Sequence, residues 1–162
     1  MSIATALALA HLAEAGSERA PFVLNHEHSP LGDVRIDVGG CTGCESCARA
    51  CPTDALGSEK EADSLALIFD PNLCTGCGLC ARWCPEDVLE VRRITDPGAL
   101  SNGRTELYRD SQVRCERCGV SFAPASMVRR VEQLLQEGRD NRSQAIRRCP
   151  ACRGLAIGAS AQ

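Results

Sequence analysis

Cys41-Thr42-Gly43-Cys44-Glu45-Ser46-Cys47-Ala48-Arg49-Ala50-Cys51-Pro52 recurs 33 residues later as Cys74-Thr75-Gly76-Cys77-Gly78-Leu79-Cys80-Ala81-Arg82-Trp83-Cys84-Pro85. Carried on to Leu56 and Leu89, the two copies are identical at 11 of 16 positions. Both have the spacing C-x-x-C-x-x-C-x-x-x-C-P, which is that of bacterial four-iron ligation. Cysteines at i, i+3 and i+6 let a tight loop fold around one corner of a cuboidal cluster. Gly43, Gly76 and Gly78 let the backbone come close to it, and amide N–H groups can then face the sulfurs. The fourth cysteine is followed by Pro, which turns the chain away from its own loop and toward the other cluster. The expected ligand sets therefore cross. Cys41, Cys44, Cys47 and Cys84 would hold one [4Fe–4S] cluster, and Cys74, Cys77, Cys80 and Cys51 the second. Such clusters can serve as mere staples, but two held this close favour electron transfer.

Composition agrees that something other than an ordinary core holds the chain together. Of 162 residues, 44% are hydrophobic but only 3% aromatic, and twelve are cysteine. Small domains with weak cores need disulfides or metals. This argues against a catalytic globule built around a large apolar pocket, and the regular cysteine spacing argues against disorder. Disulfides would require export. The Ala/Leu-rich N-terminus, Met1 to Ala15, resembles a signal peptide but has no Lys or Arg before its apolar run, which His11 and Glu14 interrupt. It is also too short to span a bilayer. It reads as a docking helix of a cytoplasmic protein, and all twelve cysteines fall into metal-type groups.

The flanks of the repeat carry short elements. Val34-Arg35-Ile36-Asp37-Val38 and Leu65-Ala66-Leu67-Ile68-Phe69-Asp70 alternate like strands. Pro52-Thr53-Asp54-Ala55-Leu56 and Pro85-Glu86-Asp87-Val88-Leu89 read as short helices opened by Pro, with acids in the first turn. The polar stretch 57–64 reads as a loop, and Val88-Leu89-Glu90-Val91 as the start of a closing strand. The pattern is α+β, a pseudo-twofold strand–helix–strand pair of the bacterial 2[4Fe–4S] ferredoxin type. Trp83, beside Cys84, is either a shield for the first cluster or a core residue.

The remaining cysteines form two pairs, Cys115-Glu116-Arg117-Cys118 and Cys149-Pro150-Ala151-Cys152. Two C-x-x-C knuckles close a tetrahedral four-thiolate site, which fits structural zinc and leaves no open position for catalysis. A rubredoxin-like iron is the rival, although Phe122 is the sole aromatic between the knuckles. A redox-exchanging thiol pair is a third reading. Pro124, then Met127, Val128, Val131, Leu134 and Leu135, then Gly138 mark an amphipathic helix between them.

Charge is uneven. Residues 1–40 carry a net −3, residues 41–100 a net −5, and the Arg-rich residues 101–162 a net +5. The acidic half and the basic tail can each dock on a complementary neighbour. Arg129, Arg130, Arg139, Arg142, Arg147, Arg148 and Arg153 raise the possibility of nucleic acid. No stacking aromatic lies among them, so a solvated or subunit-facing surface is preferred. His11, His26 and His28 read as surface residues.

The dicluster run followed by Cys115-Glu116-Arg117-Cys118-Gly119-Val120-Ser121-Phe122-Ala123-Pro124, an amphipathic helix and Cys149-Pro150-Ala151-Cys152-Arg153 resembles the small iron–sulfur subunit of formate hydrogenlyase and related energy-converting [NiFe] hydrogenases. That subunit is similar to the dicluster subunit of respiratory complex I. The resemblance covers roughly residues 34–155. It implies a non-catalytic subunit set between a cluster-bearing partner and a large catalytic subunit, passing single electrons through both clusters. It also implies a complex held at the cytoplasmic face of a membrane by other subunits. The expected organisation is an N-terminal helix and docking arm over 1–33, a ferredoxin domain over 34–96 and a linker over 97–112. A zinc domain over 113–155 and a tail over 156–162 follow. A free soluble dicluster ferredoxin and a redox-sensing nucleic-acid-binding protein are the alternatives.

Overall fold

The structure is a computed structural model that describes residues 24–25, 28–137 and 143–153. Most of the expected N-terminal arm and the tail 156–162 lie outside the described residues. In chain order the elements are β1 (Leu24–Asn25), β2 (Gly32–Ile36), α1 (Ser46–Arg49), β3 (Leu56–Lys60), β4 (Ser64–Phe69), α2 (Leu79–Arg82), β5 (Leu89–Thr95), α3 (Pro97–Asn102), β6 (Thr105–Arg114), β7 (Ser121–Pro124), α4 (Ala125–Glu137) and α5 (Ser143–Ile146). Helix and strand are mixed, as the periodicities imply. The strands form two sheets, ordered β1–β5–β2 and β3–β4–β6–β7. The chain divides into two compact units. One comprises Met1–Cys41, Glu45–Glu59 and Leu67–Tyr108, and the other Thr42–Cys44, Lys60–Ala66 and Arg109–Gln162.

In the first unit β2 and β5 pair antiparallel, with Val34 opposite Val91 and Ile36 opposite Leu89. β1 adds Leu24 opposite Thr95. Val34, Leu56, Leu67, Phe69, Leu89 and Ile94 are buried. Each contributes about 1.5–3 kcal/mol by leaving water, so this small apolar set works beside the cysteines rather than instead of them. The stretch 97–112, expected as a linker, carries α3 and most of β6. Asp96 caps α3 by accepting from the amides of Gly98 and Ala99, and Pro97 occupies its first turn. Leu100 packs on Leu31, and Asn72 Nδ2 donates to the Leu100 carbonyl at 3.2 Å.

Two local expectations need correction. The stretches after Pro52 and Pro85 are turns, not helices. Asp54 (φ 56°) and Asp87 (φ 54°) sit in the left-handed region, which ends any helical run and which Asp tolerates better than most residues. The helices instead lie earlier, as α1 and α2, inside the cysteine runs. The polar stretch 57–64 is mostly strand. β3 spans Leu56–Lys60 with Ser58, Glu59 and Lys60 exposed, so its polarity marks a solvent-facing edge strand rather than a loop.

The second unit is built on β6 and β7, with Val113 opposite Ala123 and an irregularity between Val113 and Arg114. Asp63 accepts from Arg114 Nη2 on both carboxylate oxygens at 2.7 Å, from Arg114 Nε at 3.1 Å and from the Ser121 hydroxyl at 3.2 Å. α4 falls where the apolar spacing places it. Asp110 Oδ2 accepts from the Ser126 amide at 2.8 Å, capping the helix from β6. Val128 is buried, but Val131 and Leu134 are exposed, so only part of the apolar stripe is covered. No helix among the described residues is long and apolar enough to cross a membrane.

Candidate metal centres

The two cysteine runs adopt one backbone design twice. Gly43 and Gly76 have φ of 64° and 62°, and Glu45 and Gly78 have 61° and 75°. Arg49 N–H donates to Glu45 O at 3.0 Å, and Arg82 N–H to Gly78 O at 3.1 Å. Cys51 N–H donates to Ala48 O at 3.3 Å, and Cys84 N–H to Ala81 O at 3.1 Å. These left-handed positions fold each loop back on itself before its single helical turn. α1 then packs against α2.

A cavity in the first unit is lined by Cys51, Cys74, Cys77 and Cys80. The fourth cysteine of the first run thus faces the three-cysteine loop of the second. Val34, Leu56, Phe69 and Val91 supply apolar wall. Burial is the largest influence on Cys51 and pushes its thiol up. The amides of Leu56 and Thr53, the Thr53 hydroxyl and the Ala55 amide outweigh it, and the thiol lies below its ordinary range. Left-handed Asp54 makes this convergence possible, since alternating right- and left-handed residues turn successive N–H groups to one side as an anion-binding nest. Burial, only partly offset by the Gly76 amide, raises Cys74. Burial pushes Cys80 up to about 11. The charges of Cys51 and Cys77 also raise Cys74, and those of Cys74, Cys51 and Cys77 raise Cys80, so a cationic iron core suits the four-thiol donor set.

Gly32 closes the approach from β2. Its N–H donates to the Cys74 carbonyl at 3.0 Å. A Cβ there would lie 2.5 Å from Gly76 Cα and 3.1 Å from Cys74 Sγ. Of the other expected set, Cys41 and Cys47 are buried and Cys84 half-buried in the first unit. Cys44, half-buried, belongs to the second. The Tyr108 hydroxyl donates to the Cys41 carbonyl at 3.1 Å. Trp83 is 65% exposed, which rules out a core role.

In the second unit the Sγ atoms of Cys115, Cys118, Cys149 and Cys152 all lie within 4.8 Å of one another. Tetrahedral metal–sulfur bonds of about 2.3 Å require sulfurs about 3.8 Å apart, and Cys118 and Cys149 are 3.7 Å apart. Gly119, at φ 74°, turns the first knuckle, with its N–H on the Cys115 carbonyl at 2.8 Å. The Cys149 amide donates to Cys115 Sγ at 3.3 Å and, against the effect of burial, draws that thiol down to about 6. Burial, aided by the neighbouring sulfurs, pushes Cys152 up to about 12. Arg153 holds the second knuckle. Its Nε reaches the Ala145 and Arg148 carbonyls, its Nη2 reaches the Ile146 carbonyl, and its guanidinium lies over the Phe122 ring.

Residues 40–88 match the family model of the 4Fe–4S dicluster domain. This region contains both cysteine runs and both left-handed aspartates, Asp54 and Asp87, so the iron–sulfur reading of the repeat is supported by family and by local geometry. Such a domain points to electron transfer. No curated protein matches the chain. Cysteine spacing alone had singled out the thiols around the dicluster domain. Thr53, Gly32 and Tyr108 were missed. A glycine outside the motif and a lone tyrosine carry no periodic signal, whereas Thr53, two residues beyond a ligand cysteine, was legible in principle.

Proposed function

We propose that this protein is an electron-relay subunit of a multi-subunit oxidoreductase, of the formate hydrogenlyase, energy-converting [NiFe] hydrogenase or complex I type. The observation that carries the reading is the shared cavity of Cys51 with Cys74, Cys77 and Cys80. It supports Cys51 as the residue that completes the second run's site, and by the repeat of the motif Cys84 completes that of Cys41, Cys44 and Cys47. When bound, each four-iron cluster takes up and releases one electron. The chain's own residues supply the thiolates, aim the Thr53, Ala55 and Leu56 amides at Cys51, and keep water from one side with Val34, Phe69 and Val91.

Cys115, Cys118, Cys149 and Cys152 hold a structural zinc in this proposal. Four thiolates fill its coordination and leave no site for substrate. The Arg-rich end and the acidic dicluster region dock on a cluster-bearing donor subunit and on a large catalytic subunit, at the cytoplasmic face of a membrane. The test is anaerobic purification of the tagged full chain from its native cells, followed by sizing and subunit identification. Elution in a large assembly with a second iron–sulfur subunit and a metal-bearing catalytic subunit is expected. Elution at the mass of the chain alone would identify a free carrier and contradict the proposal.

A further inference from the structure

The two halves of the dicluster domain share a left-handed turn after the fourth cysteine but differ in the polar side chain two residues beyond it. Asp54 and Asp87 take the same left-handed conformation. Thr53 follows Cys51 by two residues, with its Oγ1 3.7 Å from Cys51 Sγ. Glu86 holds the corresponding place after Cys84. A sulfur bound to iron is a thiolate without a proton, so in the contact with Cys51 the hydroxyl must be the donor. A glutamate side chain carries no hydroxyl, and its carboxylate is an acceptor rather than a donor toward a ligand sulfur. Hydrogen bonds to cluster sulfurs and nearby net charge are main determinants of cluster potential. A donor stabilises the more negative reduced state and a carboxylate opposes it, so the two substitutions act in opposite directions.

We propose that the Thr53 hydroxyl, set against Glu86 in the repeat, makes the two clusters unequal, with the cluster ligated by Cys51 the easier to reduce. One electron then leaves the reduced Cys84-ligated cluster and is gained by the oxidised Cys51-ligated one, with no bond made and no proton moved. Thr53 is a tuning residue, acting through a ligand sulfur rather than on any substrate. The inference rests on the reading of residues 40–88 as a site for two four-iron clusters.

The test is an EPR-monitored redox titration of the anaerobically purified full chain and its variants. Thr53→Val should move one of two potentials to a more negative value and leave the other in place, and Thr53→Ser should restore it. Glu86→Thr, compared with Glu86→Val, should raise the other potential and narrow the separation. A Thr53→Val protein with both potentials unmoved overturns the inference. If that variant loses iron, the Glu86 pair decides, and equal potentials in Glu86→Thr and Glu86→Val overturn it. Wild-type protein that keeps iron and sulfide while Thr53→Val is silent would sink this inference alone. Wild-type protein lacking both would sink the cluster reading and this inference with it.

Discussion

Gly32 and Gly76 lie in backbone contact, so close that a Cβ on Gly32 would stand 2.5 Å from Gly76 Cα. Gly32 opens β2, and Gly76, at φ 62°, lies between Cys74 and Cys77. The loop therefore needs the absence of a side chain at Gly32. Gly32→Ala is expected to displace the Cys74 loop and lower iron from about eight toward about four per chain. Gly57→Ala is the control, because nothing lies within 4 Å of a Cβ there. Iron analysis of both variants checks this. Full iron in Gly32→Ala would show that the loop gives way freely.

Crossed ligation makes a prediction about pairs of variants, since residues serving one site are not additive. Cys51→Ala and Cys74→Ala should each cost about half the iron, and the double variant no more than either alone. Cys51→Ala with Cys41→Ala should lose nearly all of it. The reverse pattern would assign each cluster to a single run.

The Tyr108 hydroxyl is buried against the Cys41 carbonyl. Tyr108→Phe keeps the ring and removes the donor. A loss of about 1 kcal/mol is expected, seen as a lower melting temperature of the cluster-loaded protein. An unchanged melting temperature would contradict it.

Arg153 binds three carbonyls of the segment that carries Cys149 and Cys152. Arg153→Met keeps much of the stem and loses the fork. Groups that support metal ligands typically contribute 10–100-fold in affinity, and a loss of about that size is expected in competition with a chromophoric zinc chelator. Equal affinity would limit Arg153 to the surface.

Trp83 is exposed, so Trp83→Ala should change folding stability by no more than about 0.5 kcal/mol. A chemical denaturation curve displaced by several times that amount would give Trp83 a packing role.

The cysteine groups were legible in the sequence because spacing alone fixes how thiols can share a metal. α4 was legible from Val128, Val131, Leu134 and Leu135. The turns after Pro52 and Pro85 were not. Asp54 and Asp87 carry the same composition signal as a helix N-terminus, and only the backbone tells a nest from a first turn. β3 was hidden for a related reason: Ser58, Glu59 and Lys60 all face solvent, so alternation never appears. Gly32 and Tyr108 act on loops distant in sequence, where no local pattern reaches.

We propose that two iron–sulfur cubes sit among the eight cysteines of residues 41–84. Iron and acid-labile sulfide determined together on anaerobically purified full chain test it most directly. About eight of each, with a brown colour that bleaches on reduction, is the predicted result. A colourless protein with neither would contradict it.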